Sequence, residues 1–415
     1  MPKFNTELFV ARRIGRHSEG GSRGVMVRIA VATTAVSLAV MIVAVAVIMG
    51  FRGEISTKIS GFGGHLRISA LDYSQSAESR PISIDPALEQ DIAGIEGFRS
   101  IAPFALKGGL IKTGEATQGI MLKGVGADYD WSFFEGYMQE GTLPRVGDTV
   151  RHKDILISRS VAQMLRLGVD DRVEILFVHG DRPPRRDRFR VSGIYSSGLE
   201  EMDRHFVLTE IANVQRLNGW DAGQITGYEV ATGDIRRLED FEKEAYVRTL
   251  EHEGETPLMV RSIYTEYPQL FDWLKTHDVN AVVIITIMLV VALFSMISAL
   301  LIILLERTSM IGILKALGMK NGSVRRIFIF RSAYILLAGL LIGNAMGIGL
   351  ALVQKYTGLV RLDESGYFLP SVPISLGWEW IVGLNLGTVA VILALLVFPT
   401  DIVSRITPEK TIRYQ

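Results

Sequence analysis

The stretch "VMVRIAVATTAVSLAVMIVAVAVIMG" at residues 25–50 is apolar almost from end to end. Three more runs share its character, at 278–305, 327–354 and 379–399. A bilayer core of roughly 30 Å is crossed by about 20 apolar residues in a helix. Each run is long enough, and none carries a charge in its middle; Arg331 lies near one end of the third. The chain therefore reads as an α-helical membrane protein with four transmembrane helices. A large extramembrane domain, 51–277, is inserted between helices 1 and 2.

Lys and Arg near span ends mark the cytoplasmic side. The tail 1–24 holds Lys3, Arg12, Arg13, Arg16 and Arg23. The segment 306–326 holds Arg307, Lys315, Lys320, Arg325 and Arg326, and the tail 400–415 holds Arg405, Lys410 and Arg413. The segment 355–378 has only Lys355 and Arg361 against Asp363 and Glu364. Both termini and 306–326 are thus expected inside, and 51–277 and 355–378 outside, in a multi-pass membrane protein. The first run is too long for a cleaved signal peptide, and no small-residue cleavage site follows it. Residues 5–16 mix Leu8, Phe9 and Ile14 with basic residues. They read either as a helix lying on the inner membrane surface or as a plain basic tail.

Net charge is zero and there is no cysteine. No bulk attraction to nucleic acid follows, and disulfides and thiolate metal sites are excluded. The outer domain reads as α+β. Strand-like stretches lie at 65–69, 109–113, 119–124, 154–158, 172–178 and 189–195, and helical ones at 86–93, 158–167, 209–217 and 238–253. Residues 52–60 and 262–278 read as stalks continuing spans one and two.

Chemistry is absent by pattern. There is no P-loop, full dinucleotide fingerprint, H-E-x-x-H or G-x-S-x-G. The seven histidines are scattered. Glu200, Glu201 and Asp203 read as a solvated loop after Ser196-Ser197-Gly198. The spans lack a buried Asp, Glu or Lys relay. No catalytic or metal-ligating residue is assigned, and any energy for transport comes from a partner.

Residues 306–318, "ERTSMIGILKALG", read as a short amphipathic helix between two spans, with Met310, Ile311, Leu314 and Leu317 as its stripe. Gly318 stands at its C-terminal end. Asn321-Gly322-Ser323 offers a turn and an N-cap for span three. An apolar ridge between charged ends suits a groove on a soluble partner or the lipid interface. Span three carries Gly339, Gly343 and Gly347, and span four Gly383 and Gly387. Such small residues serve packing within a subunit or a movable seam.

The string "ERTSMIGILKALGM" resembles the coupling-helix signature of FtsX-like, type VII ABC transporter permeases. The ending 398–413, "FPTDIVSRITPEKTIR", is similar to that family's tail pattern P-x-x-x-A-x-x-x-P-x-x-A-L-R. Ser404 and Thr411-Ile412 depart from it, as does Arg331 where an acidic residue is usual. "ELFVARR", "IMGFRGEISTKISGFGGHLRI" and "FRVSGIYSSGLEEMDRHFVLTEIANVQRLNG" resemble the lipoprotein-releasing permeases of the LolC/LolE type.

That resemblance implies a place in a bacterial inner membrane, a periplasmic outer domain and a pair of permeases, the second being the same or a homologous chain, with two copies of an ABC ATPase. It implies lipoprotein as substrate, a periplasmic lipoprotein carrier as acceptor, and contact with membrane lipid. No cofactor is implied on this chain; ATP and Mg belong to the partner ATPase. The implied ATPase-coupling residues are Glu306, Arg307, Met310, Ile311, Leu314, Lys315, Leu317 and Gly318. The basic loop 179–188, with Arg182, Pro183, Pro184, Arg185 and Arg186, occupies the place of a carrier-binding hook. Its prolines predict a polyproline II segment; the plain alternative is a solvated hairpin tip. Val40, Val43 and Val47 of span one, with Leu293, Phe294 and Ile297 of span two, are the candidate walls of a lipid cavity. The alternatives are an FtsX-like regulator of a cell-wall hydrolase, an efflux permease, and a membrane-tethered enzyme.

Overall fold

A computed structural model describes residues 22–71, 80–114, 116–147, 152–179, 182–252, 254, 256–362 and 369–397. The basic N-terminal segment and the tail motif 398–413 lie outside the described residues, as do the hairpin-tip residues 180–181. The chain opens with helix α1 (Ser22–Gly63), β1 (Leu66–Ala70), β2 (Ile82–Ser83), α2 (Pro86–Ala93), β3 (Phe98–Lys112) and β4 (Thr117–Val125). Next come α3 (Ser132–Tyr137), β5 (Met138–Gly141), β6 (Asp154–Ser158), α4 (Arg159–Leu165), β7 (Arg172–His179) and β8 (Arg182–Tyr195). They are followed by α5 (Glu200–His205), β9 (Phe206–Glu210), α6 (Ile211–Asn218), β10 (Gln224–Ile225), β11 (Gly227–Thr232), α7 (Leu238–Glu251), β12 (Leu258–Ser262) and α8 (Ile263–Glu266). The last elements are α9 (Pro268–Glu306), α10 (Thr308–Ala316), α11 (Asn321–Thr357) and α12 (Trp378–Leu395).

Two compact units emerge. One holds the chain up to Gly53, Leu274–Arg361 and the chain from Ser371; the other holds Glu54–Trp273 and Leu362–Pro370. Helices α1 and α9 run through these boundaries without a break. Among the described residues four helices, α1, α9, α11 and α12, are long and apolar enough to cross a bilayer.

The core of the helical unit joins Leu38, Met41 and Ile42 of α1 to Met296, Leu300 and Leu304 of α9, Phe328, Ile335 and Leu336 of α11, and Ile392 of α12. Three glycines of α11 face α1. A Cβ at Gly343 would stand 2.7 Å from the Ala35 carbonyl oxygen, and one at Gly339 2.8 Å from Thr34 Cβ. One at Gly347 would stand 3.0 Å from Ala39 Cα. These three therefore serve close packing inside the chain. Nothing lies within 4 Å of a Cβ at Gly383 or Gly387, so those two are free of that constraint. Asn344 of α11 and Asn385 of α12 exchange amide hydrogen bonds of 2.8 and 3.0 Å, satisfying two polar groups among apolar neighbours. Arg331 stacks over the Tyr334 ring at 5.6 Å.

The second unit is built on one mixed sheet of order β12-β1-β11-β3-β4-β9-β6-β8-β5, with β7 pairing β3 and β8. β4–β9 and β6–β8 are parallel; the other pairs are antiparallel. Residues Ile111, Leu122, Ile155, Ile157, Phe177, Val191 and Val207 of the sheet close a core with Val161 and Leu165 of α4 and Val214 and Leu217 of α6. Several element bounds differ from the sequence reading. The strand expected at 109–113 begins at Phe98, and Thr209 belongs to a strand while its helix starts at Ile211. Glu200–His205 is a helix, not a solvated loop, and Asp203 is buried.

Candidate functional site

The segment between α9 and α11 is helical over Thr308–Ala316, with Arg307 at its N-cap and Glu306 closing α9. It stops because Gly318 takes φ +89°. The Gly318 and Met319 amides then bond the Lys315 and Leu314 carbonyls, the pattern of a Schellman cap. The expected stripe does not face one way. Ile311 is fully buried with Leu304, Val324 and Phe328, so it holds the helix to the bundle and cannot present itself to a partner. Met310, Leu314 and Lys315 are half-buried. The outward apolar residues are Leu317 and Ile313, the latter missed by the stripe. Asn321 is the first residue of α11, with Lys320 at the N-cap and no side-chain cap, so the expected Asn-Gly-Ser cap does not form.

The basic loop is the far end of the β7–β8 hairpin. Pairing runs from Arg172↔Arg190 to Phe177↔Arg185 and then shifts, with His179 opposite Arg182. Pro183 and Pro184 thus face the single residue Val178. A proline lacks the N–H that a ladder needs, and it is accommodated at a bulge. The expected polyproline II segment is therefore corrected to a bulged strand. Pro183, Pro184, Arg185 and Arg186 are exposed. Arg186 lies 3.8 Å from Glu174, and Arg185 donates to the Arg216 carbonyl.

Of the six proposed cavity residues, Val47 lines a cavity in the helical unit. That space, about 220 Å³, lies between α1 (Ala44, Val47, Ile48, Phe51) and α9 (Leu274, Asp278, Asn280, Ala281, Ile284). Val43, Leu293 and Ile297 are half-buried elsewhere; Val40 and Phe294 are exposed, and neither lines it.

Sequence reasoning missed the root of α1. Phe62 is 2% exposed and meets Phe133, Phe134, Tyr195 and Phe206 at centroid distances of 5.5–6.0 Å. Gly61 is required there, since a Cβ would stand 2.2 Å from the Phe133 ring. Lys123 of β4 donates to the Phe62 carbonyl and to Glu229 Oε2 at 2.6 Å, with both side chains buried. Burial pulls the Lys123 ammonium below its usual range, and Glu229 opposes this. Arg67 of β1 reaches Glu266 at 2.8 Å and Glu229 at 3.9 Å. Burial lowers its pKa, and Tyr267, Glu266 and Glu229 outweigh that, so the net direction is up. The available signal was weak: a lysine inside the apolar strand "IMLKGV".

Lys58 of α1 is buried and donates to the Ser197 carbonyl. Asp203 accepts from Ser197 N at 3.1 Å and from Ser197 Oγ at 2.6 Å. Burial pushes the Asp203 carboxyl up to about 6 despite these bonds and Lys58. Among the described residues no group of three or more His, Cys, Asp or Glu is placed to hold a metal ion.

A family model for the MacB-like periplasmic core domain matches residues 29–245. A second, for the FtsX-like permease C-terminal region, matches 282–408. The chain is similar to lipoprotein-releasing system transmembrane protein LolC of Xylella fastidiosa, 23% identical over 398 residues, with 92% of each chain covered. It is also similar to lipoprotein-releasing system transmembrane protein LolE of Haemophilus influenzae, 22% identical with 99% of each covered. The periplasmic region of MacB from Actinobacillus actinomycetemcomitans aligns over 52% of this chain at 16% identity and a TM-score of 0.33.

Proposed function

The chain belongs to the permease family of the MacB-like periplasmic core domain, joined here to an FtsX-like C-terminal region, and on that premise we propose that it is the membrane subunit of an ABC-type lipoprotein-releasing system. The observation that carries this reading is likeness along nearly the whole chain to LolC and LolE proteins, not to the outer domain alone. In this reading both termini and α10 lie in the cytoplasm, and the sheet unit, inserted between the first and second spans, lies in the periplasm.

The chain pairs with a second permease, the same or homologous. Two copies of a separate ABC ATPase bind ATP and Mg. The ATPase docks on α10, through Ile313 and Leu317 at the centre and Met310, Leu314, Glu306, Arg307 and Lys315 around them. Nucleotide-driven closure moves α9 and α11, which flank α10, and α1, which is seamed to α11. Acyl chains leave the bilayer beside α1 and α9. Exposing them to water would cost about 0.8 kcal/mol per methylene, so the periplasmic carrier takes them directly. The carrier docks at the exposed start of β8, at Arg185 and Arg186.

The test is reconstitution. Proteoliposomes would hold the permease pair, the ATPase and one lipidated protein, with soluble carrier outside. Transfer of the lipidated protein to the carrier that needs ATP is expected. Active hydrolysis with no transfer of any lipidated protein tried would overturn the reading.

A further inference from the structure

Helix α1 ends in the sheet unit with two last-turn carbonyls satisfied by side chains. Tyr129 donates to Gly61 O at 3.3 Å and Lys123 to Phe62 O. From Lys123 a run of alternating charge, buried at Lys123 and Glu229 and half-buried at Arg67 and Glu266, continues through Glu229 and Arg67 to Glu266, which ends α8 just before α9. The Phe104 ring lies under both cations, 5.0 Å from Arg67 and 6.0 Å from Lys123. The end of α1 and the start of α9 are thus joined through three strands, β4, β11 and β1.

Buried ion pairs are poor stabilisers, because desolvation offsets their attraction and apolar residues of like volume often do as well. The buried Lys123–Glu229 pair, extended by the half-buried Arg67 and Glu266, therefore needs a reason other than stability. Its geometry supplies one. The outer links are short, at 2.6 and 2.8 Å, while the central Glu229–Arg67 link is 3.9 Å. Glu229 Oε1 and Arg67 Nε are buried with no hydrogen-bond partner. A shift of less than 1 Å between β11 and β1 would make that bond. We propose that Lys123, Glu229, Arg67 and Glu266 form a joint with a closed and an open central link, through which movement of α1 and α9 reaches the sheet. They are positioning residues; this rests on the reading that an ATPase drives the chain.

The test uses the whole complex. The chain has no cysteine, so spin labels at Arg52→Cys and Glu96→Cys are unique. Their separation is measured by pulsed electron resonance with the ATPase empty and vanadate-trapped. The variant is the apolar double substitution Lys123→Met/Glu229→Met, which leaves neither charge stranded. It is compared with wild type, with melting temperature as the check on folding. A trapped-state shift in wild type that is lost in a folded double variant, with basal hydrolysis unchanged, is the expected result. A shift retained in the double variant, or none in wild type, overturns the joint. If the double variant does not fold, Lys123→Arg decides by the same readout: it keeps the charge and moves the donor, and an unchanged shift overturns the proposal. Release of lipidated protein is measured separately. It should fall about tenfold per ATP in the variant, a size typical of coupling between sites. A wild-type complex that moves its labels but releases nothing would defeat the release reading and leave the joint standing.

Discussion

Substituting Gly343 by Ala inserts one methyl into the seam between α11 and α1. Its Cβ would meet the Ala35 carbonyl oxygen at 2.7 Å, Leu38 Cβ at 3.0 Å and Ala35 Cα at 3.1 Å. Two of the three are backbone atoms, so no rotamer change relieves the clash. Ordinary contact begins near 3.4 Å, so α11 must retreat from α1 by about 0.7 Å at this point. A gap of that size forfeits a quarter to a half of each dispersion contact along the seam. Overpacking of this kind costs about 1–3 kcal/mol, and the better helix propensity of Ala returns up to about 1 kcal/mol. A net loss of about 1–2 kcal/mol is expected, read by denaturant unfolding of the purified protein in detergent. Gly387→Ala in α12, with nothing within 4 Å, should stay within about 0.5 kcal/mol of wild type. Gly339→Ala, whose Cβ meets Thr34 Cβ at 2.8 Å, should resemble Gly343→Ala, and Gly347→Ala should be milder. Equal stability for Gly343→Ala and wild type, or equal losses at Gly343 and Gly387, would refute the seam.

Asp203 keeps its proton in the folded protein up to about pH 6, against an ordinary value of 3.8. The folded state then binds more protons than the unfolded one between these values, and stability falls as pH rises through that window. Asp203→Asn should remove a slope worth at most about 3 kcal/mol, seen as a changed difference from wild type between pH 4 and pH 6.5 in urea unfolding. His65 runs the other way. Burial, helped by Arg99, pulls it from 6.5 to about 4, so its contribution is lost as pH falls through that range, and His65→Asn should soften acid destabilisation. In α10, Leu317→Asp and Ile313→Asp should weaken coupling of ATP hydrolysis to release without lowering the melting temperature. Ile311→Asp should instead cost about 3 kcal/mol or more, since it buries an unpaired carboxylate; an unchanged melting temperature there would contradict its burial. Asn344→Leu strands the Asn385 Oδ1, while the Asn385 Nδ2 keeps the Ile381 carbonyl, and should cost about 1–2 kcal/mol, more than the double Leu variant in the same unfolding assay.

What the sequence made legible was whatever short-range periodicity encodes. The strand at 154–158 and the helix at 86–93 were read to the residue. The four apolar runs coincide with the long helices, because about 20 apolar residues leave few alternatives. Strand β3 was read as its last few residues, because Pro103 and the mixed run "SIAPFALKG" hide the alternation over Phe98–Lys107. The stripe on α10 was legible as a stripe, but not which part of it faces the bundle. Ile311 and Leu317 stand at the two edges of the stripe, about 120° apart on a helical wheel, and only packing against Leu304 and Phe328 shows which edge is buried. The Lys123–Glu229 pair spans 106 positions, a separation no local pattern reports. Asp203 sits among acids and was read as solvated, yet its partner Ser197 is six residues upstream in a turn that closes on it.

These differences bear on how a helix such as α1 can carry movement. In the helical unit it is held by shape: close contact at three glycines, with no room for a methyl group, leaves no second arrangement of similar energy, because interiors at crystal-like density do not deform gradually. In the sheet unit Phe62 is likewise locked among aromatic rings, but the polar contacts beside it are different in kind. A carbonyl, an ammonium, a carboxylate and a guanidinium can exchange partners over a fraction of an ångström while each keeps at least one bond. A rod gripped rigidly in one unit and by exchangeable contacts in the other passes its displacement to the second. Tightening the exchangeable end, as Lys123→Met/Glu229→Met does by replacing charges with apolar contact, should therefore silence the lobe without loosening the rod. Loosening the seam, as Gly343→Ala does, should weaken the rod's grip and leave the charged joint intact. The two variants fail at opposite ends of α1, and label separation and unfolding stability tell them apart.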